Sequence, residues 1–580
     1  MVYLYKFLQN NMDTILKYSE PDQEIANQLT KGLGCHPLLA KLLSARGIKS
    51  VEDATFFLNP NFKNLTDPFF LKDMDKAVER IFIAIKNKEK ILVFGDFDAD
   101  GVTSTALLSD FFEYCDANVS WYIPHRIKEG YSLQTDHIQM ASDQDIDLII
   151  TVDCGVSSHD AVIQANLEDI DVIVTDHHEP GTILPPALAV VDPKREDCRS
   201  GLDYLAGVGV AFFLVMALRK FLRDKGFWEE IKEPNLMDYL DLFAIGSIGD
   251  MVPLIHENRA LCIAGLKKIK QGTRLGLKSL AEVCRVDLKK IDSDDISFKV
   301  VPRINAAGRI SHARICVSQL TDTDVVNTEK TASLLNQLNL KRQKIEQEII
   351  LAIEHRLLKD PDLLNNKLLF LWDDHWNPSV LGIAASKLSK KYYCPVILLS
   401  SAGEKAIGSG RSINNINIHK ALTKSEHLLE KFGGHAMASG LTVKKDNLQA
   451  LYQNLNRHME NFYSEKDFHK SKIIDAILNF EDINFNLAKE MDRLRPFGMA
   501  NPEPVFICKD IRVASSHIIG NNHRKMVLKN SAPISHHRVE AFHFNISDPD
   551  NLPDYYPKIA FKLKINKFKT HAAQIIIEDL

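Results

Sequence analysis

The chain has 580 residues, 45% of them hydrophobic and 25% charged, with a net charge of −5 and a mean hydropathy of −0.14. At roughly 150 residues per domain this length predicts about four domains, and the composition excludes wholesale disorder, collagen-like sequence and a membrane bundle. The sign of the charge excludes a whole-chain basic field, so a polyanion would have to be held locally or through metal ions.

The first 70 residues carry no evident chemistry. MVYLYKFLQNNMD lacks a basic start, a clean apolar stretch and a small-residue cleavage site, which argues against secretion. HPLLAKLLSARGI (36–48) reads as a small helical lead-in packed on the core. The nine cysteines include no CxxC pair. A zinc ribbon or disulfide framework is therefore not expected, and a reducing cytoplasm is.

From about 75 to 195, helical patterns alternate with short β-branched runs. Ile91–Gly95, Val119–Ile123, Leu148–Val152, Val172–Thr175 and Ala189–Val191 read as strands, and Thr103–Asp116 and Ser157–Leu167 as helices. Continuous apolar strands between helices predict a parallel sheet covered on both faces. The apolar run Leu205–Leu218 is too short to span a bilayer and reads as a buried helix within 204–222; 236–248 also reads as helical. Across 327–360, Leu334, Leu338, Ile345, Ile349, Ile353 and Leu357 recur at helical spacing without Gly or Pro until Pro361, predicting one long amphipathic helix that connects two domains, with a core helix of one domain as the plainer alternative. A second βα pattern begins at Lys367: LLFLW, a helix over Val380–Lys391, then PVILLS. Glycine-punctuated segments follow at Gly408–Gly410 and Gly433–Gly434. After about 465, short alternating segments predict a small all-β barrel or sandwich.

Acidic clusters end three strands of the predicted parallel sheet. Asp96, Asp98 and Asp100 lie in GDFDADG, Asp153 follows LIITV, and Asp176, His177 and His178 follow VIVT. The carboxyl ends of such strands line the ligand crevice. Like charges gathered there call for a cation, and carboxylates with an imidazole suit Mn²⁺ or Mg²⁺ better than zinc. Asp250, in IGDMVP, is a further candidate ligand. A calcium loop is the competing reading of DxDxDG, but its closing Glu is absent, since position 107 is Leu. A lone Asp at a strand end is also a common helix N-cap, and a lone DHH a solvated turn; repetition at one topological place weighs against both.

GDFDADG, VDCG, TDHH and IGDMVP, in this order, resemble the DHH phosphoesterase superfamily. RINAAGRI (303–310), GSGRS (408–412), GGH (433–435) and RPFGMANPEP (495–504) are similar to its single-strand-specific 5′→3′ DNA exonucleases, over about residues 70 to 510. Two positions depart from the pattern. Phe94 stands where some members have His, which puts one potential ligand in doubt, and Ala500 stands where Gly usually precedes NPEP.

The resemblance implies an α/β fold in five parts: a helical N-terminal extension (1–70), a parallel-sheet DHH domain (71–325), a long connecting helix (326–362), a smaller α/β DHHA1 domain (363–462) and an OB-fold (463–580). It implies two-metal hydrolysis in which Asp153 bridges, Asp98 with Asp96 completes one site, and Asp100, His177 and Asp250 complete the other. His178 would stand beside the scissile phosphate, or else support His177. Arg126, Arg309, Ser409 and Arg411 would take the 5′ phosphate end, with Arg303, Asn305, Ser412 and His435 along the substrate path. A narrow passage would impose single-strand preference. Residues 463–580 carry 17 basic and 15 acidic residues, and Lys562, Lys564, Lys567 and Lys569 on an alternating strand would track the DNA backbone; a lysine-protected edge strand is the plainer alternative. The resemblance further implies a cytoplasmic monomer acting in recombination and repair beside a single-strand-binding protein and a helicase. A small-substrate phosphoesterase and a non-catalytic DNA-binding scaffold are the competing functions.

Overall fold

The computed structural model describes residues 14–401, 403–520, 522–531, 536–546, 548, 552–566 and 569–578. The chain divides into two compact units. The larger holds residues 19–339 together with the C-terminal segment from 475. The smaller holds 340–474 with the short strand β1 (Ile15–Tyr18).

The larger unit is built on a five-stranded parallel sheet, β2 (Lys90–Gly95), β3 (Asn118–Tyr122), β4 (Leu148–Val152), β5 (Asp171–Thr175) and β6 (Ala189–Val191). Its order is β3-β2-β4-β5-β6. Each predicted strand is present to within a residue or so at either end. The pleat sends alternate side chains to opposite layers. Ile91, Val93, Ile150 and Val152 join a core that includes the helices Met74–Asn87, Ala99–Tyr114 and Gly207–Asp224. Leu92, Phe94, Ile149 and Val174 pack with Thr135–Asp143 and His159–Leu167. Burial on both faces explains why these strands read as unbroken apolar runs. The strand order reverses between β2 and β4, and such a reversal opens a crevice at the carboxyl ends of the strands.

In the smaller unit, β7 (Leu369–Asp373), β8 (Val396–Ser400), β9 (Lys405–Arg411), β10 (Leu429–His435) and β11 (Ala438–Lys444) form a mixed sheet ordered β10-β11-β9-β8-β7. The segments expected as glycine-punctuated are strands. Gly408 permits close pairing there, since a Cβ would fall 2.6 Å from the Leu398 carbonyl oxygen. β12 (Ser471–Ile474) pairs in parallel with β1.

The C-terminal segment forms β13 (Ala476–Ile477), β14 (Phe506–Ile519), β15 (His523–Asn530), β16 (Arg538–His543), β17 (Tyr555–Ile565) and β18 (Ala573–Glu578). The long strand β14 pairs with both β15 and β17, which closes the sheet into a barrel. The lead-in helices do not pack on a core of their own. Leu29, Leu39, Leu42 and Leu43, from the helices Gln23–Leu33 and Pro37–Ala45, share one apolar cluster with Phe480, Phe506 and Phe561 of the C-terminal segment.

The long helix spans Val325–Lys359. Its C-terminal half buries Ile349, Ile353 and Leu357 as expected. Its N-terminal half buries Ala332 and Leu335 instead of Leu334, which is 43% exposed. Between the halves the buried positions are polar, Asn339, Arg342 and Glu346, and an apolar periodicity does not register such a stretch.

Candidate metal centre

Four chain segments converge at the carboxyl end of the parallel sheet. Asp96 leaves β2 and Asp153 leaves β4, the two strands that flank the order reversal. Asp98 is the N-cap of the helix Ala99–Tyr114, its Oδ1 accepting from the backbone N–H of Asp100 at 2.9 Å and of Gly101 at 3.3 Å. Asp100 is buried. Its two carboxylate oxygens accept from the N–H groups of Gly207 (2.6 Å) and Val208 (2.8 Å), at the start of the helix Gly207–Asp224. That helix end stabilises the charge. Asp153 holds a left-handed backbone, φ 61°, which aims its carboxylate at the crevice. Gly207 makes room for it, since a Cβ there would lie 2.5 Å from the Asp153 Cβ. Asp250 caps the C-terminal end of the helix Leu240–Gly249.

These residues fall into groups whose ligand atoms lie within 4.8 Å of one another: Asp96, Asp98 and Asp153; Asp100, His177 and Asp250; and Asp153, His177 and His178. His177 Nε2 stands 3.1 Å from Asp153, 3.7 Å from Asp100 and 3.7 Å from Asp250. Three buried atoms have no hydrogen-bond partner, Asp96 Oδ1, Asp153 Oδ1 and His177 Nε2. An unsatisfied buried polar atom costs about 1–3 kcal/mol, so this crowding is unfavourable as it stands.

The electrostatics carry the same message. Burial, and then the Asp98 charge, push the Asp100 carboxyl up to about 7. Burial, then Asp100 and Asp98, push Asp250 up to about 8. Asp96 and Asp153 are raised well above the carboxylate range, by burial first. Burial, then the neighbouring His178, push His177 down to about 3, leaving a neutral imidazole. Carboxylates that resist ionising together, beside a neutral imidazole with a free nitrogen, fit a divalent cation.

His178 differs. Its Nδ1 donates to Asp176 Oδ1 at 2.7 Å, and the same oxygen accepts from the backbone N–H groups of His177 (2.8 Å) and His178 (3.2 Å). Burial works against its charge, but the Asp176 carboxylate outweighs it and raises His178 to about 9. Tyr131 adds its hydroxyl 3.2 Å from the ring. Asp176, which follows VIVT with the two histidines, takes this supporting place. Residue reasoning left out two contributors. Gly207 had a signal in the glycines of AGVGVA. Tyr131 had none.

The remaining candidates lie in both units. Arg126 lies over the Phe97 ring at 4.6 Å, within the fields of Asp96 and Asp98. Asn305 does not face substrate with its carbonyl, which accepts from the Ala99 N–H at 2.8 Å and so steadies the aspartate loop. Arg303 donates to Asn336 (3.1 Å) and to the Lys299 carbonyl (2.6 Å). Arg309 lies one turn beyond Asn305 on the helix Val301–Ile310. In the smaller unit, Arg411 and Ser409 sit together over Gly382, where a Cβ would meet Arg411 Nη2 at 2.7 Å and Ser409 Oγ at 3.4 Å. Ser412 donates to the Ile416 carbonyl at 2.7 Å, and His435 is exposed on β10. Phe94 is fully buried, its ring 5.9 Å from Tyr122 and 4.9 Å from His137. The three ligand groups are complete without a side chain from that position.

The lysine strand also differs from expectation. β17 pairs with β14 on one side and β18 on the other, so it is not an edge. Lys562 pairs with Glu578 (3.0 Å), Lys564 with Glu503 (3.4 Å) and Lys569 with Glu540 (2.8 Å). Lys567 lies outside the described residues. An exposed aromatic group stands elsewhere on the barrel: Phe544 is 46% exposed, stacked 6.0 Å from Phe542 and edge-on to His523 at 5.4 Å.

Comparison with known proteins agrees in order and extent. The DHH family N-terminal domain matches residues 90–247, the DHHA1 domain 365–461 and the RecJ OB domain 474–579. The single-stranded-DNA-specific exonuclease RecJ of Bacillus subtilis is 37% identical over 96% of this chain and 70% of its own length. RecJ of Escherichia coli is 35% identical over 94% of this chain and 96% of its own. The crystal structure of RecJ from Thermus thermophilus in complex with Mn²⁺ superposes with a TM-score of 0.82 at 28% identity, covering 98% of this chain and 80% of that one. Its Mg²⁺ complex gives 0.75 at 26% identity, covering 98% of this chain and 78% of that one. A cluster built for divalent cations, a DHH, a DHHA1 and a RecJ OB domain in succession, and 35–37% identity to RecJ proteins over 94–96% of this chain place it in the RecJ family of single-stranded-DNA-specific exonucleases.

Proposed function

We propose that this chain is a metal-dependent exonuclease that degrades single-stranded DNA from its 5′ end to mononucleotides, in recombination and repair. The observation that carries the reading is the convergence of five aspartates and His177 on one crevice, with three buried polar atoms left unpartnered.

Asp96, Asp98 and Asp153 would hold one Mn²⁺ or Mg²⁺, and Asp100, His177 and Asp250 a second, with Asp153 between them. Such a pair of ions supplies a water of lowered pKa and stabilises charge on the attacking and leaving oxygens. The protein's own groups do the rest. His178, held by its bond to Asp176, donates to the scissile phosphate or its leaving oxygen. Arg126 and Arg309, and in the smaller unit Ser409 and Arg411, contact phosphate at the 5′ end, a task that suits arginine's fork. Arg303, Ser412 and His435 line the substrate path, Arg303 and Ser412 through the backbone they hold. On the barrel, the Phe542–Phe544 step offers faces for base stacking, and the lysines of β17 reach phosphate only by leaving their glutamates.

The domain division is 1–70, 71–325, 326–362, 363–462 and 463–580. Single-strand-binding protein and a helicase supply the strand to a monomer in the cytoplasm. Nine cysteines free of disulfides support a reducing compartment. No helix among the described residues is long and apolar enough to cross a membrane.

Digestion of a single strand labelled at either end, with Mn²⁺, Mg²⁺ or a chelator, tests the reading. The expected result is metal-dependent release of labelled mononucleotide from the 5′ end, and no loss of an equivalent duplex. Release of the 3′ label first would overturn the polarity, and undiminished digestion under chelator would overturn the metal centre.

A further inference from the structure

The segment Arg493–Glu503, which carries RPFGMANPE, takes no part in the chemistry above, yet its turn is hydrogen-bonded to the loop that bears Asp250. We infer that this segment is a clasp that positions Asp250, so that the C-terminal domain sets the affinity of the metal centre. The inference rests on the reading of Asp250 as a metal ligand.

Asn501 closes the clasp. It is fully buried, and its Nδ2 donates to the carbonyls of Leu494 (2.8 Å) and Pro496 (2.7 Å). Gly498 and Asn501 exchange backbone hydrogen bonds of 3.0 and 3.2 Å. Ala500 takes a left-handed φ of 58° to complete the turn. The turn presents the Met499 carbonyl outward, where it accepts from the Leu254 N–H at 2.9 Å.

Leu254 is only four residues beyond Asp250. Asp250 itself is tied back into its helix, its N–H donating to the Gly246 carbonyl at 2.8 Å. Between the two lie Met251, held at φ 61°, and Pro253, whose carbonyl accepts from Asn258 Nδ2 at 3.0 Å. A loop this short, tied at one end by its helix and at the other by the clasp, has little freedom to move its carboxylate. Gly498 also touches the Leu254 side chain, since a Cβ there would lie 2.7 Å from Leu254 Cδ1.

The clasp is anchored from the catalytic side as well. Arg259, buried in the helix that follows the loop, donates to the carbonyls of Arg495 (2.7 Å), Pro496 (3.2 Å) and Arg493 (3.4 Å). Ser293 Oγ donates to the Phe497 carbonyl at 2.8 Å. Groups that orient a metal ligand without touching the metal change its affinity by about 10–100-fold when removed. Asn501 and Gly498 are positioning residues of this kind.

The test is Mn²⁺ titration of the full chain by calorimetry, with turnover measured across the same Mn²⁺ range. The proteins are wild type, Asp250→Ala, Asn501→Ala, Gly498→Ala and Leu451→Ala, the last being a core variant of the smaller unit. Asn501→Ala should weaken one Mn²⁺ site by about tenfold and leave the other alone, with turnover restored at high Mn²⁺. Gly498→Ala should shift the same site in the same direction by less, and it decides the matter if Asn501→Ala does not fold. Leu451→Ala should lower thermal stability without changing either site. Unchanged Mn²⁺ affinity in the folded clasp variants, or an equal loss in Leu451→Ala, overturns the inference. Unchanged affinity in Asp250→Ala overturns the metal-ligand reading beneath it.

Discussion

The strand-end crevice of the parallel sheet and the lysine strand of the barrel each gather charge of one sign, and the structure treats them in opposite ways. In the crevice, five aspartates and a neutral histidine are brought together, and three buried atoms are left without partners. On the barrel, Lys562, Lys564 and Lys569 each meet a glutamate. Charge that is gathered and left unsatisfied costs free energy unless a ligand completes it. Charge that is paired at a half-exposed surface is nearly neutral in stability and asks for nothing. The difference separates a site from a surface more sharply than the density of charge does.

The largest expected effect tests the crevice at its shared residue. Asp153→Ala should lower single-strand cleavage by about three orders of magnitude, since metal stabilisation of the transition state is worth several kcal/mol. DNA binding, measured by fluorescence anisotropy, should stay within about threefold, because phosphate contacts supply it. Gly207→Ala should come next. Its Cβ would fall 2.5 Å from that of Asp153, and displacing the ligand should cost about a hundredfold in activity, with Mn²⁺ binding weakened in the same titration.

On the barrel, Phe544→Ala should weaken single-strand binding by about tenfold, in line with roughly 1–3 kcal/mol per stacked base, while turnover on a short oligonucleotide changes little. Lys562→Ala should have the smallest effect, at most about 1 kcal/mol in stability and under about twofold in DNA affinity. A larger loss of binding from Lys562→Ala than from Phe544→Ala would reverse the comparison and return the tracking role to the lysine strand.

Much of the catalytic unit was legible in the sequence. A strand buried on both faces must be apolar throughout, so β2, β4 and β5 announce themselves, and the acids that follow them stand out against that background. The end of the long helix was legible for the same reason, while its middle was not, because Asn339, Arg342 and Glu346 are buried there as polar groups. The lead-in helices were legible as helices. That their leucines complete the core of a domain more than 400 residues away was not, because periodicity reports which face is buried and not what covers it.

By itself, then, the sequence determined the strands, the identity of the candidate ligands and their place at strand ends, since local pattern and residue chemistry carry all three. Only the tertiary structure decided the rest. It put Asp96 and Asp153 on either side of the point where strand order reverses. It set the Asn305 carbonyl against the Ala99 N–H, where it braces the aspartate loop. It gave the β17 lysines their glutamates and tied the Asp250 loop to Met499. Each of these is a contact between segments far apart in the chain, and whether a charged or polar group is free or spent depends on what folding brings beside it.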